Sequence, residues 1–249
     1  MNILEHYKKL FHFSFKRYEG NNYRQMREYF ADVLISEIEE FMSLKDKKML
    51  DVGGAKGEFC RILNKKRNCS AVNLDPEPQD FIWDNTIKGF ADNMPFPENE
   101  FDIVVSRGVI EHIPLEKQQD SVNEMYRVLK PGGICYIMIP PWYNPHAGHG
   151  LKPFHYFPFK TAKFLRELFF RKKVKENSFE EKTLYPVTFR KMQRMILSSG
   201  FNIIATRDTH FRMHFLTRIP VLREILIPSA VFILTKDAEA LKDSCIRKD

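Results

Sequence analysis

The sequence of 249 residues holds only four cysteines, Cys60, Cys69, Cys135 and Cys245, with no C-x-x-C pair and no repeated short spacing. A disulfide framework or a zinc module is therefore not expected, and a reducing, cytoplasmic setting is. Long apolar runs are also missing. The greasiest late stretch, 219–234, is cut by Arg223, Glu224 and two prolines, so it does not read as a membrane span. The first nine residues are polar and lack an apolar core, so no secretory signal is expected. No large excess of one charge is present either: 39 Lys+Arg against 32 Asp+Glu leave +7, far from a histone-like binder. There is no internal repeat and no low-complexity tract. With 43% hydrophobic and 29% charged residues, the chain is neither disordered nor fibrous, and its length suits one large domain or two small ones.

Periodicity then organises the chain. Tyr23, Met26, Phe30, Val33, Leu34, Ile38 and Phe41 recur at three- and four-residue spacing and predict an amphipathic helix. After the charged break at 45–48, short apolar runs alternate with helical stretches. Strands are expected at 49–52, 71–74, 101–106 and 134–139, with helices at 58–65 and 116–129, the second stopped by Lys130-Pro131-Gly132-Gly133. Such alternation implies parallel strands with right-handed crossovers and helices on both faces. A helix through Phe189, Met192 and Ile196, ending at Gly200, precedes two final strands at 201–205 and 231–234. The link between these two is too short for a long crossover helix, so they pair antiparallel. The expectation is one domain: a helical extension (1–46), a core (47–140 and 187–237) and an inserted cap (141–186) rich in proline, aromatics and lysine.

The segment Asp51-Val52-Gly53-Gly54-Ala55-Lys56-Gly57 carries a strand through small residues into a helix, which lets backbone N–H groups approach a ligand closely. Asp75 ends the next strand, 24 positions beyond Asp51. A carboxylate there can accept hydrogen bonds from both hydroxyls of a ribose, or alternatively cap the turn before Pro76. Ala91-Asp92-Asn93-Met94 offers a polar group and an apolar cover where an adenine ring could lie, or an ordinary loop. The glycine spacing does not fit the G-x-G-x-x-G of dinucleotide-binding dehydrogenases.

The ordered series DVGGAKG, NLD, ADNMPF, FDIVV, IEHI and YRVLKPGG resembles the class I S-adenosylmethionine-dependent methyltransferases, in particular the methyltransferase-11-like group. The resemblance spans residues 50–139 and extends through the final strand pair to about 236. It implies a Rossmann-like, doubly wound α/β sheet of seven strands with an antiparallel last strand, to which the residue pattern itself adds an N-terminal helix and a cap inserted after strand 5. It also implies S-adenosyl-L-methionine as cofactor. By position, Asp51, Gly53, Gly54, Ala55 and Gly57 match the cofactor turn, and Asp75 with Pro76 the ribose site. Ala91, Asp92 and Asn93 match the adenine loop, and Arg107 lies beside the methionine portion. Ala55 stands where the family usually has a second glycine, a change tolerated if its φ is negative. Phe90 replaces the frequent aspartate of the adenine loop, which passes the bonding of adenine to Asp92 or backbone groups.

Methyl transfer from a sulfonium is an in-line displacement, so positioning carries much of the catalysis and a base is needed only where the acceptor must lose a proton. The candidate bases are His112, after the fourth strand, and His146 and His149, just after the fifth; each can equally serve loop or helix structure. His146 and His149 stand at i and i+3, but no carboxylate or cysteine nearby in sequence completes a metal set, so no metal is expected. His155, His210 and His214 read as packing residues. Residues 152–175 hold eight Lys/Arg, one acid and seven aromatics. This segment reads as a lid over a small acceptor, a contact with an anionic membrane surface, an RNA track or a solvated basic helix, with RNA ranked last among the ligands. The leading expectation is O-methylation of a small-molecule, sugar or lipid-linked acceptor in the cytoplasm, peripheral to a membrane if 152–175 docks there. The alternatives are a non-catalytic methyltransferase-fold binding module and an RNA methyltransferase.

Overall fold

The computed structural model describes residues 3–16, 20–77 and 82–237. Cys245 lies outside them, as do the first two residues of the segment tested for a secretory signal. Seven strands form one sheet: β1 (Lys48–Val52), β2 (Ser70–Asp75), β3 (Thr86–Lys88), β4 (Phe101–Arg107), β5 (Leu129–Ile139), β6 (Asn202–Asp208) and β7 (Ala230–Thr235). Their order is β3-β2-β1-β4-β5-β7-β6. The pairs among β1 to β5 are parallel, whereas β7 runs antiparallel to both β5 and β6. The doubly wound sheet with its reversed last strand agrees with the sequence reading.

Alternation within strands builds two cores. Leu50, Val104 and Phe232 face one side with Val122, Met125, Phe189 and Met192. Met49, Ile103, Val105, Tyr136 and Ile233 face the other, with Ile35, Ile38, Phe59 and Leu63. A side-chain period of two makes this division, and every residue of β7 is buried because both faces are covered. The covering helices are α2 (Asn22–Glu39) and α3 (Glu58–Arg67) on the second side, and α4 (Gln118–Val128) and α6 (Phe189–Ser198) on the first.

The structure departs from the sequence reading in places that have local causes. The chain has a further helix, α1 (Ile3–Lys16), before α2. Its buried residues His6, Leu10 and Phe13 recur at helical spacing behind a charged surface. Strand β5 starts at Leu129, not Ile134, because Leu129 already pairs with Phe101 across an irregularity in register. Gly133 sits there so close to β4 that a Cβ would meet the Asp102 carbonyl oxygen at 2.8 Å. Residues 140–188, between β5 and α6, contain α5 (Phe159–Phe170), packed through Phe159 and Ala162 on Leu151 and Val174. A short α7 (Leu222–Ile225) lies between β6 and β7.

Candidate active site

β1 is flanked by β2, reached through α3, and by β4 on its other side, so chain direction across the sheet reverses between β1 and β4. Loops leaving the two carboxyl ends diverge there and open a crevice, the usual ligand position in such sheets. The loop after β1 is held open by backbone geometry. Gly53 and Gly57 have φ of +69° and +74°, where L side chains are strained. A Cβ on Gly54 would lie 2.1 Å from Asn73 Oδ1 and 2.5 Å from Asp51 Oδ2, and one on Gly53 would lie 2.6 Å from Val109. Only glycine lets this turn pass so close to β2 and the loop after β4.

Ala55 departs from expectation. Its φ is +49°, not negative, at a cost of roughly 1 kcal/mol for an L residue. Two hydrogen bonds hold it there: its N–H donates to Asp75 Oδ2 (2.9 Å), and its carbonyl accepts from Asn73 Nδ2 (2.9 Å). Asp75 also accepts the Glu77 N–H at 3.0 Å. A carboxylate has about four lone-pair sites, so after these bonds it can still take two hydroxyls. Asp92 is paired with Lys117 at 2.9 Å, and Phe90 exposes its ring at the cavity edge with Lys117 over it.

Two cavities flank the turn. One, of about 680 Å³, is lined by Gly53, Ala55, Asp75, Pro76, Ala91, Asp92, Val109 and His112 among others. The second, of about 710 Å³, includes Asp51, Gly53, Gly54, Ala55, Arg107 and His146 in its wall. Gly53 and Ala55 belong to both, so the cavities meet at the turn. Of the expected site residues, Gly57, Asn93 and His149 line neither. Gly57 caps α3, and Asn93 forms a bridge with Phe90. His112 and His146 lie on different cavities.

Inside the larger cavity, Asp51 is fully buried, and burial pushes its carboxyl above the usual range against the pull of Arg107, 3.8 Å away. The Arg107 guanidinium lies 3.9 Å over the Phe59 ring, and its Nε is buried without a hydrogen-bond partner. The His146 imidazole is held below its ordinary pKa by burial and then by Lys152, which favours the neutral ring.

The far wall of this cavity was not legible as a site. Leu10, Phe13, Met26, Phe30, Tyr136, Thr209 and His210 form it. His6 fastens α1 there, accepting from the Tyr29 hydroxyl and donating from Nε2 to the His210 carbonyl at 2.7 Å. The Tyr7 hydroxyl donates to the Phe211 carbonyl at 2.5 Å. His210, expected only to pack, stacks on Phe30 and faces the cavity; burial lowers its pKa to about 4. Beneath it, buried Glu37 accepts from Tyr136 (2.7 Å) and Thr209 (3.3 Å). The sequence does hint at this wall, through two runs of apolar residues at helical spacing before β1.

The histidine pair also differs from expectation. His149 meets not His146 but His112, at 4.8 Å between ring centres, and Glu111 supplies the carboxylate that sequence proximity failed to find. Thr183, some 70 residues on, contributes its carbonyl to His112 Nδ1 at 2.6 Å.

Comparison with known proteins follows the same lines. Residues 50–137 match the family model described as a methyltransferase domain. An uncharacterised methyltransferase of Mycobacteroides abscessus is 27% identical over 210 residues, covering 78% of each chain. One from Mycobacterium leprae is 28% identical over 198 residues, 75% of this chain and 71% of the relative. Among solved structures, a SAM-dependent methyltransferase from Archaeoglobus fulgidus superposes with a TM-score of 0.54 at 15% identity, over 86% of this chain and 99% of its own. Geranyl diphosphate C-methyltransferase from Streptomyces coelicolor gives 0.56 at 13% identity, over 86% and 80%. These likenesses in structure speak for the fold, and the family model for its first five strands, β1 to β5. With its strand order, its glycine turn and its sequence relatives in agreement, the chain carries a methyltransferase domain over residues 50–137.

Proposed function

We propose that the chain transfers a methyl group from S-adenosyl-L-methionine to a hydroxyl of a small or lipid-linked acceptor bound in the 710 Å³ cavity. The observation that carries this reading is the meeting of two cavities at one glycine turn, one beside the sugar-binding type of carboxylate and one beside a neutral histidine. The residues fit the cofactor on three counts. Gly54 leaves a cradle that any Cβ would fill, Arg107 keeps a buried donor without a partner, and Asp75 keeps free lone pairs. When bound, the cofactor supplies a methyl group on a positively charged sulfur, already activated for displacement.

The protein's own residues would divide the remaining work. Asp75 would hold the ribose hydroxyls, and Phe90, Val109 and Ile113 would cover the adenine faces. Arg107 would pair with the methionine carboxylate and Asp51 with its ammonium group, each compensating a buried charge. Leu10, Phe13, Met26 and Phe30 would exclude water from the acceptor side and favour an apolar body. His146, whose pKa is lowered by partial desolvation and then by Lys152, would take the hydroxyl proton as general base. Replacing Asp75 by alanine is expected to weaken binding of S-adenosylhomocysteine about 10–100-fold, the loss of two charge-assisted hydrogen bonds reduced by water that replaces them. Calorimetric titration measures it; unchanged affinity would remove Asp75 from the ribose site, and no heat even with the unaltered protein would remove the cofactor.

The surface of α5 supports a lipid-linked acceptor. Phe164 and Leu168 are 62% and 57% exposed on the side away from Phe159 and Ala162, Phe169 beside Phe154 is 68% exposed, and Arg171, Lys172, Lys173 and Lys175 follow them in the open. Apolar groups to insert and cations beside them are what an anionic bilayer surface selects, at about 1 kcal/mol per basic residue. No helix among the described residues is long and apolar enough to cross a membrane. Co-sedimentation with vesicles containing phosphatidylserine should be strong, and should drop at least tenfold for Phe164→Ser combined with Phe169→Ser. Equal binding of the variant, or none by the unaltered chain, would confine the enzyme to acceptors in solution.

A further inference from the structure

The Glu111 side chain sits at the carboxyl end of β4, in the 3-10 turn Ile110–His112, and is only 4% exposed. Its Oε2 is buried with no hydrogen-bond partner. A buried carboxylate oxygen in that condition is costly unless a cation or donor meets it. The groups that face it are two imidazoles. His149 Nε2 stands 3.8 Å from Oε1, and one ligand atom from each of Glu111, His112 and His149 lies within 4.8 Å of the others. The orientation of His112 is fixed from behind. Its Nδ1 is 2.6 Å from the Thr183 carbonyl, which can only accept, so Nδ1 carries the proton and a neutral ring offers its lone pair at Nε2. An imidazole tied through its second nitrogen to a carbonyl is the ordinary support of a metal-binding histidine.

We propose that Glu111, His112 and His149 bind one divalent ion of the zinc class. Two imidazoles and one carboxylate suit a borderline ion such as Zn²⁺ or Co²⁺, whereas Mg²⁺ and Ca²⁺ prefer oxygen alone. With bonds of about 2.1 Å, tetrahedral donors stand roughly 3.4 Å apart, so the site closes when the exposed His149 ring turns toward Glu111. Three protein ligands leave a fourth position to water. The ion ties residue 149 of the insertion to the loop after β4, beside the wall of the smaller cavity, to which His112 and Thr183 both contribute. The site goes beyond methyl transfer and does not depend on it.

The test uses the full-length protein, stripped with chelator and titrated with zinc chloride in a calorimeter, with bound metal counted by elemental analysis. One zinc per chain is expected. His112→Ala, His149→Ala and Glu111→Gln should each weaken it by at least the 10–100-fold that loss of an orienting partner alone costs. His12→Ala, on the exposed face of α1, should leave it unchanged. Glu111→Gln keeps the buried shape and His149 is a partly exposed side chain, so circular dichroism in zinc-free buffer should show both variants folded. No uptake by the unaltered chain, uptake that survives Glu111→Gln and His149→Ala, or equally tight binding of Mg²⁺ would each overturn the assignment.

Discussion

Replacing Gly54 by alanine is expected to abolish measurable cofactor binding and to remove about 3 kcal/mol of stability. The added Cβ would fall 2.1 Å from Asn73 Oδ1 and 2.5 Å from Asp51 Oδ2, about an ångström inside van der Waals contact. Neither neighbour can yield cheaply. Asn73 is fully buried and holds the turn by donating to the Ala55 carbonyl, and Asp51 is a buried carboxylate beside Arg107. Overpacking of this kind typically costs about 1–3 kcal/mol, and a shift of about 1 Å at a positioning element can cost on the order of 100-fold in function. The neighbouring change should have the opposite sign. Ala55→Gly relieves a left-handed φ of +49° and should stabilise by about 1 kcal/mol without loss of affinity. Urea unfolding and titration with S-adenosylhomocysteine read both effects; normal affinity in Gly54→Ala would mean that the turn does not contact the ligand.

The second large effect is an acid sensitivity carried by His210. Burial lowers its pKa from 6.5 to about 4, reinforced by His146 and His6. Between these values the unfolded chain holds the proton and the folded chain does not, so stability rises with pH through this window. The contribution is complete above about 6.5 and is lost as pH falls toward 4. Its size is about 2–3 kcal/mol at pH 4.5, at 1.36 kcal/mol per pKa unit and with the ring partly open to solvent. Other groups titrate nearby, and raised carboxyls such as Glu37 and Asp208 act with opposite sign. The informative quantity is therefore the difference between the unaltered protein and His210→Phe, which keeps an aromatic ring against Phe30. Urea unfolding at pH 7 and 4.5 should show the variant gaining that amount on acidification. Parallel profiles would mean that His210 is protonated in the folded state.

What could be seen in the sequence was what is encoded by neighbours. Met49–Val52, Phe101–Ser106 and Ile134–Ile139 are strands covered on both faces, so each reads as a mostly apolar run, interrupted only by Asp51 in the first and by Asp102 and Ser106 in the second. Asp51 lies within β1, and the glycine turn and Asp75 stand at the carboxyl ends of β1 and β2, which is why a crevice at that edge of the sheet was expected where it stands. β3 escaped because it has three residues, none fully buried, at the sheet edge. The sign of φ at Ala55 escaped because it depends on Asn73 and Asp75, which reach it from another strand. Glu111, His149 and Thr183 are brought together by the insertion folding back onto the loop after β4, a contact that no local spacing announces. His210 is lifted out of a packing role only because α1 and α2 enclose a cavity above it.

The fastening of α1 has a consequence for how such an enzyme diversifies. The helix contributes Leu10 and Phe13 to the chamber wall, yet lies wholly outside the stretch shared with the family model and is pinned through His6 and Tyr7 to backbone carbonyls of 210 and 211. Carbonyls are present whatever the side chain, so those anchors survive mutation at the positions that supply them. If this chamber takes the acceptor, as proposed, part of its wall is written outside the stretch that carries the glycine turn, and drift in the first forty residues would change what is methylated while that turn stays as it is.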